Sequence, residues 1–267
     1  MSSVRCGPEP RKISELPSVT MSRVNKTHID EYLTALDSIQ GWFYPEDVKL
    51  FQALNVLQGQ DGVSGDLLEI GVYHGKSSIL LGYFPREDEH LVVCDLFEQS
   101  ARTVANQAEA RCWYSNLSRE LFENNYLRFH DRLPVIVKCP STHLMKVGKL
   151  SRTFRFIHID GSHLYDIVKR DIRTAKALLR DSGIVSIDDY RSIHTPGVAA
   201  AAWEEIAREE LIPFCLTPQK MYATWGRATR QLMSRLTTWA HRSEAYNVAT
   251  EKVCGRNLLR LQLKASI

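Results

Sequence analysis

Carboxylates follow two apolar runs that are typical of neighbouring buried strands. Asp160 follows residues 156–159, and Asp188 and Asp189 follow residues 184–187. Ligands bind outside the carboxyl ends of parallel strands, so these three acids are expected to share one crevice. Clustered carboxylates repel one another unless a cation neutralises them, and an all-oxygen donor set is typical of Mg²⁺. The alternative is that Asp160 caps a helix and the Asp188-Asp189 pair begins a solvated loop.

A histidine follows the first of these acids. His163 lies three residues after Asp160, where its imidazole can face the same crevice and accept a proton. A purely structural hydrogen bond is the alternative for this ring. His158, inside the apolar run, is expected to be a packed core residue, whereas His74 either lines a pocket or covers a turn.

A glycine loop precedes these elements. Gly71, Gly75 and Ser77 follow an apolar run at the first predicted strand-to-helix turn, where free backbone N–H groups can approach a ligand. Asp95 closes the next strand, at a spacing typical of the acid that binds ribose hydroxyls. The pattern predicts a nucleoside-containing cofactor, and the alternative is a tight turn without a ligand.

Two neighbours of the loop narrow the choice of cofactor. Tyr73 occupies the position where a dinucleotide-binding loop has its second glycine, which disfavours NAD. Glu69 lies beside the turn, where a carboxylate is unfavourable next to phosphates and favourable next to a ligand that carries an amino group and a sulfonium.

The elements that must position these residues alternate between strands and helices. This pattern predicts an α/β fold: a doubly wound, mostly parallel Rossmann-like sheet with a C-terminal antiparallel hairpin and helices on both faces. Residues 1–25 are expected to form a mobile arm. Residues 26–226 are expected to form the main domain, with a helical N-terminal cap and an acceptor-covering insert at 98–132, and residues 227–267 a basic extension.

Composition limits the remaining function classes. The 267 residues carry a net charge of +3, and residues 227–267 hold eight Lys and Arg against two Glu. That segment could bind nucleic acid, but its apolar residues recur at helical spacing and favour a homo-oligomer contact. Six cysteines without a CxxC spacing, and no apolar membrane-spanning stretch or secretion signal, predict a cytoplasmic protein without membrane contact.

Together these motifs resemble class I S-adenosylmethionine-dependent methyltransferases. The resemblance is to their metal-dependent group of sugar O-methyltransferases, which includes macrocin O-methyltransferase, and it covers about residues 41–226. It implies cofactor contacts at Glu69, Gly71, Gly75, Ser77, Asp95 and Ser141. It also implies Mg²⁺ ligands at Asp160, Asp188 and Asp189, with Asp160 and His163 as the catalytic pair.

The resemblance implies a Mg²⁺-dependent O-methyltransferase of secondary-metabolite biosynthesis. Its acceptor would be a small hydroxylated molecule, expected to be a sugar in a glycoside or a nucleotide sugar. The metal ion could chelate two adjacent acceptor oxygens and acidify one of them. A catechol-type phenol suits the same ion and is the first alternative. An NAD-linked oxidoreductase is a weaker one.

Overall fold

The computed structural model describes residues 26–101, 103–147, 153–208, 210–226 and 229–264. The predicted N-terminal arm, residues 1–25, lies outside them. Five parallel strands form one side of the sheet: β1 (Asp66–Ile70), β2 (Leu91–Asp95), β3 (Val135–Lys138), β4 (Phe154–Ile159) and β5 (Leu179–Ile187). Their order in space is β3-β2-β1-β4-β5. Leu68 of β1 pairs with Val92 on one side and Ile157 on the other. Such strands are apolar on both faces because helices cover both.

Four further strands reverse or extend the sheet. They are β6 (Ile212–Leu216), β7 (Met221–Thr224), β8 (Tyr246–Val253) and β9 (Arg256–Leu263). Strand β7 runs antiparallel to β5 and forms a hairpin with β6, so the predicted antiparallel hairpin is confirmed. Strand β9 pairs with β6 in parallel and with β8 in antiparallel fashion. The segment that the sequence sets apart as a basic extension therefore joins the same nine-stranded sheet.

Helices cover both faces, as predicted. The helices are α1 (Lys26–Thr34), α2 (Pro45–Gln60), α3 (Lys76–Leu81), α4 (Val104–Trp113), α5 (Arg119–Leu127), α6 (Tyr165–Leu178), α7 (Pro196–Ala207) and α8 (Thr229–Ser243). Side chains of α1, α2, α3, α5 and α8 join one hydrophobic cluster, and those of α6 and α7 join the other. The α8 stripe expected at an oligomer contact packs within the chain: Leu236 is fully buried, and Leu232, Met233 and Trp239 pack beside it. Among the described residues, no helix combines the length and apolar character needed to cross a membrane.

The turns after β1, β4 and β5 are tied together by the backbone. The Asp160 N–H donates to the Ile70 carbonyl at 2.8 Å, and the Asp188 N–H donates to the Ile159 carbonyl at 3.0 Å. Gly71 has a φ of 83°, and a Cβ there would lie 2.1 Å from the Asp160 carbonyl oxygen. Only glycine permits this approach. The glycine loop and the two acidic turns therefore share one end of the sheet.

Candidate active site

A cavity with two lobes lies at the carboxyl ends of the parallel strands. The first lobe, about 290 Å³ in volume, lies beyond β1, β2 and β3 and reaches Asp95 and Ser141. The second, about 260 Å³, lies beyond β4 and β5 and reaches Asp188 and His163. The residues that line both lobes are Gly71, Val72, Tyr73, Tyr114 and Asp160. This is the position in an α/β sheet where ligands bind.

The first lobe contains three of the residues predicted to bind a cofactor. Gly71, Asp95 and Ser141 line it. Asp95 also shapes the lobe, because its Oδ2 accepts from the Val72 N–H and its Oδ1 from the Phe97 N–H, both at 2.8 Å. The carboxylate thus holds the glycine loop and the end of β2 in fixed relative positions.

Gly75 and Ser77, the other predicted loop residues, do not line the first lobe. Gly75 has a φ of 90° and directly precedes α3, and a Cβ there would lie 3.0 Å from the Phe122 ring. Ser77 lines the second lobe rather than the first, and its hydroxyl donates to Glu69 at 2.5 Å.

Glu69, predicted to contact the cofactor, lies beneath the glycine turn and is not among the residues that line the first lobe. Its side chain is fully buried and accepts hydrogen bonds from the hydroxyls of Ser77 and Ser78. Its Oε1 lies 2.8 Å from Nδ1 of His158, the residue opposite it on β4. Successive side chains of a strand project from opposite faces of the sheet, and that of Glu69 projects beneath the start of α3. Burial, followed by the Lys220 charge, lowers the pKa of His158, so this ring is neutral at neutral pH.

Tyr73 keeps its large side chain in the second glycine position by adopting a φ of 46°. Its ring stacks on His74 at 3.8 Å between centroids and on Trp42 at 5.6 Å. The Nε2 of His74 lies 3.2 Å from the Asn116 carbonyl oxygen, and this ring is almost completely buried. His74 therefore covers the turn, and Trp42 and Tyr73 form a wall of the second lobe.

Asp160 and Asp188 lie together, as predicted, and a lysine that was not predicted joins them. The Lys220 ammonium contacts Asp188 and is buried. Burial lowers its pKa, but Asp188, Asp160 and Asp47 outweigh that effect and raise it, so Lys220 is a permanent cation. Burial raises the pKa of Asp160 well above its usual range, and the charge of Asp188 adds to the increase.

Asp189 turns away from the other two acids. Its φ of 56° places it in the left-handed region, which Asp tolerates better than most residues. Its Oδ1 accepts from the Ser192 hydroxyl, and its Oδ2 lies 3.1 Å from Nε2 of His163. The three acids predicted as one ligand set are therefore divided between two neighbouring clusters.

His163 is held by carboxylates at both ring nitrogens. Its Nδ1 lies 3.1 Å from Oε1 of Glu109, and its Nε2 lies near Asp189 and 3.3 Å from the Tyr114 hydroxyl. Burial lowers the pKa of His163, but the hydrogen bonds to Asp189 and Glu109 outweigh it and raise the pKa to about 10. The ring is therefore protonated at neutral pH in this arrangement.

Sequence reasoning missed Glu109 and Lys220. Glu109 lies on α4 in the insert at 98–132, without a local motif to distinguish it. Lys220 immediately precedes β7 in the hairpin turn, where a lysine is ordinarily a surface residue. The sequence did contain a signal for the position of His158. His158 lies two residues before Asp160, so the two side chains project from the same face of the strand.

Comparison with known proteins identifies a known domain in this chain. Residues 68–190 match the family model described as a methyltransferase domain. This chain carries a methyltransferase domain. The methyltransferase is similar to the structure of the O-methyltransferase NovP, with 19% identity and a TM-score of 0.55 over 68% of this chain and 80% of that one. It is also similar to the O-methyltransferase from Bacillus cereus in complex with SAH, with 16% identity and a TM-score of 0.49 over 76% and 92%.

No curated protein sequence matches the methyltransferase. The prediction of an S-adenosylmethionine-dependent methyltransferase on a Rossmann-like sheet is nevertheless confirmed. The NAD-linked oxidoreductase that the sequence left as an alternative is set aside.

Proposed function

We propose that this methyltransferase transfers a methyl group from S-adenosylmethionine to a hydroxyl oxygen of a small-molecule acceptor. The observation that carries the proposal is the junction of the two lobes, where Asp160 and Tyr114 line both. A donor in the first lobe and an acceptor in the second would meet there. Transfer from sulfonium to oxygen requires that the reacting atoms meet in line, and an alcohol reacts well only after it loses its proton.

The first lobe is proposed to bind the cofactor. Asp95 is suited to accept hydrogen bonds from ribose hydroxyls, Ser141 would lie near the adenine, and Gly71 lets the backbone approach the cofactor. Gly75 and Ser77 act by shaping the start of α3. Glu69 fixes Ser77 from below, and its role in cofactor binding is therefore indirect.

His163 is proposed to take the acceptor proton. It lines the second lobe next to the junction, and Glu109 and Asp189 fix its orientation. Because these carboxylates also stabilise the protonated ring, the ring becomes a base only when it is deprotonated. The activity is therefore expected to increase towards alkaline pH.

A divalent cation, predicted to be Mg²⁺, is proposed to bind at Asp160 and Asp188. The residues fit such an ion: their carboxylate oxygens converge with a buried ring nitrogen that has no hydrogen-bond partner in the described part of the chain. When bound, the ion would supply positive charge that favours ionisation of the acceptor hydroxyl. Lys220 supplies a smaller, fixed positive charge at the same acids.

The acceptor is proposed to be a sugar. Trp42, Tyr44 and Trp113 are exposed aromatic residues that line the second lobe, and such rings stack on sugars. The motif resemblance to sugar O-methyltransferases favours a glycoside or a nucleotide sugar over a catechol. A role in secondary-metabolite biosynthesis, a cytoplasmic location and a homo-oligomeric state stay predictions.

The test is a screen with purified protein and S-adenosylmethionine against glycosides, nucleotide sugars and catechols. Mass spectrometry is expected to detect the addition of one methyl group to a sugar acceptor. Chelation is expected to abolish the reaction and added Mg²⁺ to restore it. Methylation of catechols alone would refute the sugar assignment, and full activity after exhaustive chelation would refute the cation requirement.

A further inference from the structure

A row of buried polar side chains crosses the sheet beneath the acid cluster. Glu69, His158, Ser186 and Tyr222 stand opposite one another on β1, β4, β5 and β7. All four are fully buried. Residues that pair across neighbouring strands project from the same face of the sheet. Burial of such polar groups in a hydrophobic core destabilises the fold unless their polar atoms have hydrogen-bond partners.

One ring nitrogen in this row has no such partner. Glu69 Oε1 lies 2.8 Å from Nδ1 of His158, and a carboxylate can only accept there, so Nδ1 donates to Glu69 and Nε2 is the nitrogen that can bind a ligand. This atom is buried, has no hydrogen-bond partner among the residues described and lies 3.9 Å from Oδ2 of Asp160.

The free nitrogen converges with two of the acids. Nε2 of His158, one oxygen of Asp160 and one oxygen of Asp188 all lie within 4.8 Å of one another. Nitrogen and oxygen ligands bind a metal ion at about 2.0–2.2 Å, so ligands of one ion lie up to about 4.4 Å apart. Ligands at right angles lie about 3 Å apart, so the 3.9 Å between Nε2 and Oδ2 of Asp160 falls between the right-angle and the opposite arrangement.

We propose that His158, with Asp160 and Asp188, binds the divalent cation through Nε2, and that Glu69 orients the ring. Asp189, which is turned to His163, is not a ligand. The proposal rests on the cation site in the proposed function and changes its donor set from three oxygens to two oxygens and one nitrogen. An imidazole ligand favours Mn²⁺, Fe²⁺, Co²⁺ or Zn²⁺ over Mg²⁺. A carboxylate hydrogen-bonded to the far nitrogen is the usual support of a metal-binding histidine.

The charges around the site are consistent with a divalent ion in addition to Lys220. Lys220 contacts Asp188, and Asp160 and Asp47 also lie close enough to affect it electrostatically. Its single positive charge is therefore shared among several carboxylates. In the competing arrangement, Lys220 is the only cation of this cluster. No metal ion then binds to Nε2 of His158.

The experiment measures Mn²⁺ binding to the intact protein without an acceptor, by calorimetry and by electron spin echo envelope modulation. Bound Mn²⁺ is expected to show coupling to ¹⁴N that disappears on ¹⁵N-histidine labelling, and Mn²⁺ is expected to bind at least about tenfold more tightly than Mg²⁺. His158→Gln should lose the coupling and most of the affinity. Glu69→Gln should weaken Mn²⁺ binding about ten- to a hundredfold.

Asp189→Asn is the matched control and should keep both the coupling and most of the affinity. Thermal unfolding and SAH binding will show whether each variant folds. If His158→Gln does not fold, His163→Gln decides: coupling that persists supports His158, and coupling that disappears refutes it. Bound Mn²⁺ without ¹⁴N coupling refutes the proposal but leaves a cation-dependent methyltransferase intact. The absence of any Mn²⁺ binding refutes the donor set and the cation requirement together, although methyl transfer by the chelated protein would still support the enzyme assignment.

Discussion

Glu109 holds His163 through two atoms of that residue. Its Oε1 lies 3.1 Å from the ring Nδ1 and accepts from the His163 backbone N–H at 2.6 Å. Its Oε2 accepts from Ser162 at 2.6 Å. A helix of the acceptor-covering insert thus fixes both the ring and the turn that carries it.

Replacement of Glu109 by Gln is expected to change the pH dependence of turnover. Glu109 and Asp189 raise the pKa of His163 to about 10, so removal of one carboxylate lowers that pKa. The alkaline rise in turnover should therefore move to lower pH, while its plateau falls at least about tenfold because the ring loses its orientation. Glu120→Gln, an exposed change in the same insert, is the control. Identical profiles for Glu109→Gln and the wild type would exclude His163 as the titrating base.

His163→Gln is expected to reduce turnover by roughly a hundred- to ten-thousandfold, which is the usual contribution of a positioned base. S-adenosylmethionine affinity should change little, because His163 lines the second lobe and Asp95 and Ser141 line the first. Steady-state kinetics and calorimetry on the same preparation separate the two effects. A variant with nearly normal turnover would return His163 to a structural role.

Asp95→Ala is expected to weaken SAH binding by about 1–3 kcal/mol, the cost of leaving hydrogen-bonding groups unpaired. The loss has two sources, because Asp95 also accepts from the N–H groups of Val72 and Phe97. Calorimetry measures it, with Asp166→Ala, an exposed change on α6, as the control. Unchanged affinity would remove Asp95 from the cofactor site.

Asp171→Asn is expected to stabilise the protein at alkaline pH. Burial raises the pKa of Asp171 to about 7, although the Ser141 hydroxyl opposes the shift. The folded state therefore binds more protons than the unfolded chain between about pH 4 and pH 7, and stability decreases as pH rises through that window. The variant should match the wild type near pH 4 and exceed it near pH 8 in thermal unfolding. Asp166→Asn, on the same helix but exposed, is the control.

Trp42→Ala is expected to raise the acceptor KM about two- to tenfold and leave the S-adenosylmethionine KM unchanged, because a stacking aromatic ring contributes about 0.5–1.5 kcal/mol. Trp42 is 55% exposed at the second lobe. Val56→Ala, at an equally exposed site on α2, is the control. Equal KM values for all three proteins would mean that the acceptor does not reach this wall.

The sequence was sufficient to predict the sheet and the approach of Asp160 to Asp188. Apolar runs mark buried parallel strands, and residues that follow such strands must meet at one end of the sheet. Asp95 and the glycine loop lie at that end for the same reason. The strand reversal at β7 follows from two short apolar runs joined by a tight turn.

The direction of individual side chains could not be predicted in the same way. Asp189 faces His163 because its backbone has a positive φ, which no motif marks. Glu69 faces His158 because β1 and β4 pair in one particular register, and register depends on the whole sheet. Glu109 reaches His163 from 54 positions away in the chain. Contacts of this kind depend on tertiary packing rather than on local pattern.

The segment at 229–264 has a consequence for the solubility of shortened forms of the protein. Strand β6 pairs with β7 on one side and, at Cys215 and Leu216, with β9 on the other. Removal of β8 and β9 would leave β6 as an open edge strand whose unpaired N–H and C=O groups can recruit another chain. A chain ending at Gly226 is therefore expected to aggregate. This expectation does not depend on the role of the basic residues in the removed segment.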